Sequence, residues 1–193
     1  MRWDNLFDDL ESQLEQELSA EEIDLRAEEE RLRLARLGIR DRLFALRTAT
    51  VKLVLADGSR ITVRPGTFGR DWFAGELIEE SGRSAQCVVP IDGIASILLE
   101  REQVAASLGA DEKPESPDSL SARLGLPFVL RDLCRRRQPL ELILREARMH
   151  GTIDRVGRDH LDLAVHEPGR PRREIEVTEY RIVRLTQLVL VRL

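Results

Sequence analysis

Phe68-Gly69-Arg70-Asp71 and Val156-Gly157-Arg158-Asp159 repeat one pattern, a hydrophobic residue and then Gly-Arg-Asp, each in front of an apolar run. Such a recurrence is either a catalytic motif used twice or one fold built twice. Catalysis would need a nucleophile or base at matched positions of both copies, and the residues that follow, Trp72 and His160, offer none. The pattern therefore reads as a turn. Glycine supplies a permissive backbone angle, aspartate hydrogen-bonds nearby turn amides, and arginine is the solvated member.

Other reactive residue types are present without the spacing that chemistry requires. His150, His160 and His166 fall on or next to different predicted strands, with no cysteine or carboxylate at ligand spacing, so no metal site is expected. Asp154, Asp159 and Asp162 read as the polar face of alternating strands, because acid–base pairs need a pocket. Cys87 and Cys134 lack CxxC spacing and sit in apolar surroundings, which reads as buried free thiols in a reducing compartment. No phosphate-cradling glycine loop, GxSxG or HExxH occurs. The expectation is a protein that is not an enzyme, with no catalytic residue, cofactor or small-molecule substrate.

Two constellations point to binding. Trp3, Leu6, Phe7, Leu10 and Leu14 form an apolar face among Asp4, Asp8, Asp9, Glu11 and Glu15. An acidic amphipathic helix with aromatic anchors suits docking to a basic groove, and equally suits covering its own core or a dimer mate. Arg135, Arg136 and Arg137 make one basic cluster and Arg170, Arg172 and Arg173 another. Sharing a face, they could track a phosphate backbone; apart, they are ordinary solvated surface.

Charge is distributed along the chain rather than balanced within it. Net charge is −6 over residues 1–43, −4 over 44–119 and +5 over 120–193, which favours self-association or a polarised partner. Among 30 basic residues only Lys52 and Lys113 are lysine, the mark of arginine-rich codon usage more than of phosphate selection. Aromatics make up 4%, too few for a base-stacking surface. The acidic start resembles no signal peptide and no stretch approaches a membrane span, so a cytoplasmic protein without membrane contact is expected.

The elements that position these residues follow from periodicity. Residues 4 to about 46 hold strong helix formers, no proline and one glycine, and predict a long helix. Leu18, Leu25, Leu32, Ile39 and Leu46 recur every seven residues, but the companion row is Glu21, Glu28, Ala35 and Arg42, half a coiled-coil seam. From Thr48 the period becomes two, with an Asp57-Gly58 hairpin turn and further strands at WFAGELIEE, AQCVVPI and IASILLE. Residues 106–119 read as a linker, and a short helix, LPFVLRDLCRRR, opens the second half. Strand periodicity returns at LELILRE, MHGTIDRVG, DHLDLAVHE, REIEVTE and YRIVRLTQLVLVRL.

The two strand regions superpose at a constant offset of 88. It carries Phe68 to Val156, Phe73 to Leu161, Leu77 to Val165, Val89 to Val177, Ile94 to Ile182 and Ile97 to Leu185. Leu53 meets Leu142 after a one-residue shift, and RDRL at Arg40 resembles RDLC at Arg131. A helix followed by five strands is thus used twice. The predicted organisation is an acidic helix over 1–46, a five-stranded small β-barrel over 47–105, the linker, and a short helix with a second barrel over 120–193.

The run REARMHGTIDRVGRDHLDLAV, with Gly151, Ile153, Val156 and Leu163 in its glycine and apolar framework, resembles the first motif of Sm-like proteins. VTEYRIVRL resembles their second motif, a short turn and a last strand. The resemblance covers roughly 44–100 and 127–193 and implies Sm-like or SH3-like barrels in an α+β protein. RNA-binding Sm-like proteins use a pore aspartate and asparagine, whereas here Gly157 stands near the first and neither barrel holds an asparagine. As a whole the chain also resembles a group of actinobacterial proteins, some of which carry a Fis family transcriptional regulator label. SLSARLGLPFVLRDLCRRR has helix-turn-helix spacing, but its second helix offers Phe128, Val129, Leu130 and Leu133, which demand burial rather than base edges. The leading expectation is an interaction or adaptor protein whose N-terminal helix mediates self-association or docks a protein partner. The alternative is a nucleic-acid-binding regulator working through the second barrel's arginines.

Overall fold

The computed structural model describes residues 22–79, 82–109 and 123–193. The chain divides into two compact units, one ending at Gly38 and one spanning Ile39–Leu193. In the first, residues 22–36 form helix α1, laced by Glu22–Arg26 and Glu30–Arg33 ion pairs at 3.6 and 2.6 Å. The single long helix expected to residue 46 is interrupted at Leu37 and Gly38. Glycine is about 1 kcal/mol poorer than alanine in a helix interior, and the Leu37 amide bonds back to Leu34 at 3.2 Å instead of continuing the helix. Residues 4–21 of that expected helix lie outside the described residues.

The second unit is α+β. Helix α2 (Ile39–Ala45) precedes β1 (Val51–Leu55), β2 (Arg60–Phe68), β3 (Trp72–Ile78), β4 (Ser84–Pro90) and β5 (Ile94–Leu98). Helices α3 (Arg101–Leu108) and α4 (Leu126–Arg136) follow, then β6 (Pro139–Leu144), β7 (Arg148–Val156), β8 (His160–Val165), β9 (Glu179–Arg184) and β10 (Leu188–Arg192). Short 3-10 turns at Ile91–Gly93 and Leu185–Gln187 precede β5 and β10. Helix α3 begins directly after the stretch expected to be strand, with Glu100, the last residue of that stretch, as its cap, and runs into the expected linker. Its signal was a capping box between Glu100 and Gln103, with little amphipathic character behind it.

Two separate closed barrels are not what forms. All ten strands join one open antiparallel sheet in the order β5-β1-β2-β3-β4-β10-β6-β7-β8-β9. Among the described residues neither half closes on itself: β4 pairs with β10 of the other half, and β9 pairs with β8. Local periodicity carries no information on which distant strand completes an edge.

The order is nonetheless one five-strand arrangement written twice, down to its irregularities. Phe73↔Val89 in the first half corresponds to Leu161↔Val183 in the second, and Leu53↔Ile97 to Leu142↔Val191. The register shift after Pro65 recurs after Ile153, and the one at Val54–Leu55 recurs opposite Ile143–Leu144. These pairings correct the constant offset. It holds through β8, but the β8–β9 connection spans 166–178 where β3–β4 needs only 79–83. REIEVTE, expected to be a strand, forms a 3-10 turn at Glu174–Glu176 inside that excursion. Val89 therefore corresponds to Val183, Ile94 to Leu188 and Ile97 to Val191, while Ile182 corresponds to Val88.

Two apolar cores lie along the sheet, each capped by a helix. Leu43, Phe44 and Leu46 pack with Val51, Leu53, Phe68 and Phe73, and Leu126, Leu130 and Leu133 pack with Leu140, Ile153, Leu161 and Leu163. Helix α4 thus turns Leu130 and Leu133 into the core, and Pro127 sits in its first turn. The halves also share side chains: Ile143, Val189 and Leu190 enter the first core, and Trp72 and Val88 enter the second. Burial of these five residues makes the β4–β10 seam part of the hydrophobic interior.

Candidate interaction surfaces

The Gly-Arg-Asp segments are turns in both halves, and each ties a helix to the sheet. Gly69 and Gly157 donate to the carbonyls of Trp72 and His160, both at 2.8 Å. The main-chain carbonyls of Asp71 and Asp159 accept from Ile91 and Leu185, the first residues of the two 3-10 turns, at 2.9 and 2.8 Å. Arg40 of α2 donates to the Gly69 carbonyl at 2.7 Å, and Arg131 of α4 donates to that of Gly157 at 3.3 Å. The likeness of RDRL to RDLC is thus a shared clamp between capping helix and turn.

The aspartate side chains differ between copies. Asp71 accepts from the Leu126 amide at 2.7 Å, serving the start of α4, whose own cap residue Gly125 has no side chain to do so. Asp159 accepts from His160 Nδ1 at 2.8 Å, and that bond holds its carboxyl below the usual carboxylate range.

The histidines do not converge. His166 is buried and lies 2.9 Å from Thr152 Oγ1 through Nε2 and 3.1 Å from the Glu167 carbonyl through Nδ1. The carbonyl can only accept, so Nδ1 donates to it, while Nε2 and the threonine hydroxyl share the other hydrogen bond. His150 donates to the His166 carbonyl at 3.2 Å and stacks edge-on against its ring. This arrangement latches β7 to the start of the long 166–178 excursion. Cys87 is buried at the seam, where desolvation pushes its thiol up to about 12, while Cys134 is half-buried rather than fully buried as expected.

The six arginines named from sequence lie on two separate elements. Arg135 and Arg136 both reach Asp132 one turn back, at 3.0 and 2.7 Å. Arg137 ends α4 in the left-handed region at φ 49°. In the excursion, Arg172 makes a bidentate pair with Asp154 at 2.8 and 2.6 Å, which holds its guanidinium charged more firmly than an ordinary arginine. Arg170 lies 3.6 Å from Glu176. Among the described residues no hydrogen bond or ion pair joins the two clusters. Four of the six are thus committed to carboxylates, and this arrangement offsets the charge that made them candidates. Arg172 also lines a cleft with Asp154, Arg155, Asp162, Glu174, Tyr180, Arg181 and Ile182. There the Tyr180 hydroxyl donates to Glu174 at 2.7 Å, a bond that pushes the phenol above its ordinary range.

The docking anchors Trp3, Leu6, Phe7, Leu10 and Leu14 lie outside the described residues. In α1, Leu25 and Leu32 of the seven-residue row are 65% and 52% exposed, with Ile23 exposed beside them. A second apolar surface was missed by sequence reasoning. Ile182 is 77% exposed on the edge strand β9, beside exposed Tyr180, and Ile175 in the preceding excursion is 90% exposed. The constant offset had matched Ile182 to buried Ile94. The signal that finds it is the excursion's length, which shifts the match to Val88.

Among the described residues, no helix is long and apolar enough to cross a membrane. Compared with protein-family models, with curated proteins and with solved structures, the chain matches none of them. What the fold defines is a class: an α+β protein with a duplicated five-strand unit fused into one open sheet.

Proposed function

We propose that this chain is a non-catalytic interaction protein whose N-terminal helix docks another protein chain through its apolar row. The observation that supports it most is the exposure of Leu25 and Leu32 on one stripe of α1, at 65% and 52%. Seven-residue spacing keeps such positions on one side of a helix, so they meet a partner together. The chain's charge polarity, −6 over residues 1–43 against +5 over 120–193, favours a partner surface or second copy of opposite charge. The committed state of Arg135, Arg136, Arg170 and Arg172 weighs toward a protein rather than a phosphate backbone as the partner.

Site-specific photo-cross-linking from Leu32 in the full chain tests this reading. A photoreactive residue there gives adducts to a second protein chain, whether another copy or a supplied partner, that disappear in a Leu25→Glu background. Adducts confined to the same chain would overturn it. Fluorescence anisotropy with labelled RNA and duplex DNA across a salt series tests the arginine alternative. Steeply salt-dependent binding, lost when the six arginines are replaced by serine, would favour that alternative instead.

A further inference from the structure

The seam at the middle of the sheet joins unlike edges: the fourth strand of the first half, β4, meets the fifth strand of the second, β10. Each half therefore owns two different edges that fit each other. The fused chain uses one of each and leaves the complementary two, β5 and β9, each with a strand neighbour on one side only among the described residues. We infer that copies of this chain join head to tail by repeating the internal seam, β9 of one copy adding to β5 of the next.

The internal pairing dictates the register of the external one. Val191↔Val88 and Arg192↔Cys87 translate to Ile97 opposite Ile182 and Leu98 opposite Arg181 of the next copy. The Leu193 amide donates to the Gln86 carbonyl at 2.9 Å inside the chain, and Leu99 to Tyr180 is the corresponding bond between copies. Side-chain burial points the same way. Val88 is 2% exposed because the second half covers it, while its counterpart Ile182 is 77% exposed and apolar. An isoleucine at that position is what the seam buries and what a solvent-facing edge strand avoids.

No charged residue or proline on β5 guards it against addition. Exposed Ala95, Ser96 and Leu98 carry no charge, where protected edges use lysine, proline or a disrupting bulge. The register shift of β5 on β1 is no obstacle, because β10 carries the same shift on β6 and still pairs with β4. Charge agrees too: the β5-bearing part, residues 44–119, is −4 and the β9-bearing part, 120–193, is +5. Unlike-edge pairing is heterologous, so it is not limited to two copies and builds a ring or a filament.

Two full-length variants in a Cys134→Ser background test the inference, one carrying Leu98→Cys and the other Arg181→Cys. Both positions are partly exposed, so each chain keeps its fold, checked by circular dichroism. Directly opposed strand residues have Cβ atoms about 4.5–5.5 Å apart, close to the disulfide range. Under mild oxidation the mixture forms a disulfide containing one chain of each kind, and neither variant alone does. A disulfide within Arg181→Cys alone would mean symmetric β9–β9 pairing and would overturn the inference. No mixed disulfide, with Leu32 adducts still formed, would overturn it while the helix reading stands. A mixed disulfide without those adducts would leave the edge and remove the helix.

Discussion

A methyl group added to Gly69 would collide with the Trp72 indole and approach the Leu124 carbonyl oxygen to 2.8 Å. The indole cannot withdraw cheaply, since its Nε1 donates to that same carbonyl at 3.0 Å. At Gly157 the obstacle is the ring of His160, 2.5 Å away, on a half-exposed side chain that can swing out. Overpacking of a fixed neighbour costs about 1–3 kcal/mol. Gly69→Ala therefore lowers stability by about that much in denaturant unfolding, and Gly157→Ala by clearly less; equal losses would contradict the account. Cys87 makes a second residue-scale prediction. Its folded-state value, about 12, lies above the unfolded 9.0, so the neutral thiol's contribution to stability is whole below pH 9.0 and is lost as pH rises toward 12. Because only the thiolate alkylates, native protein at pH 8 takes up iodoacetamide at Cys134 and leaves Cys87 unlabelled until denatured, as mass spectrometry would read.

At the scale of elements, one turn motif has acquired two side-chain duties. Asp71 supplies the acceptor that the glycine at the start of α4 lacks, across 55 residues of chain, while the Asp159 carboxylate reaches the half-exposed ring of its neighbour. Losing a cap acceptor costs about 1 kcal/mol, so Asp71→Ala destabilises by about that amount and Asp159→Ala barely at all, measured by thermal unfolding. Most of the strands were legible because each half-buried run alternates, and Phe73, Leu161 and their neighbours show the duplication plainly. Helix α3 was not, because its start is a hydrogen-bonding pattern between Glu100 and Gln103 rather than an apolar period. The excursion at 166–178 escaped for a different reason. Val177, Ile182 and Leu185 are apolar enough to satisfy a false register, and only strand pairing shows that Ile182 stands where Val88 does. The turn role of Gly-Arg-Asp was legible from the mismatch of Trp72 and His160. The clamps from Arg40 and Arg131 needed coordinates.

On the scale of the whole molecule, the sheet follows from duplication without closure. Two five-strand halves each keep an unlike pair of edges, and fusing them satisfies one edge of each by burying Val88, Val189 and Leu190. The local rules that shape each half cannot reveal that seam, since β4 and β10 are each also ordinary neighbours of strands in their own half. The remaining edges carry the same code, and Ile182 is its exposed letter. Multi-angle light scattering on the full-length protein and its Ile182→Arg variant, across a concentration series, tests that claim most directly. The account predicts a wild-type mass that grows past two chains and a variant whose mass is smaller at every concentration. Identical masses for the two proteins would contradict it.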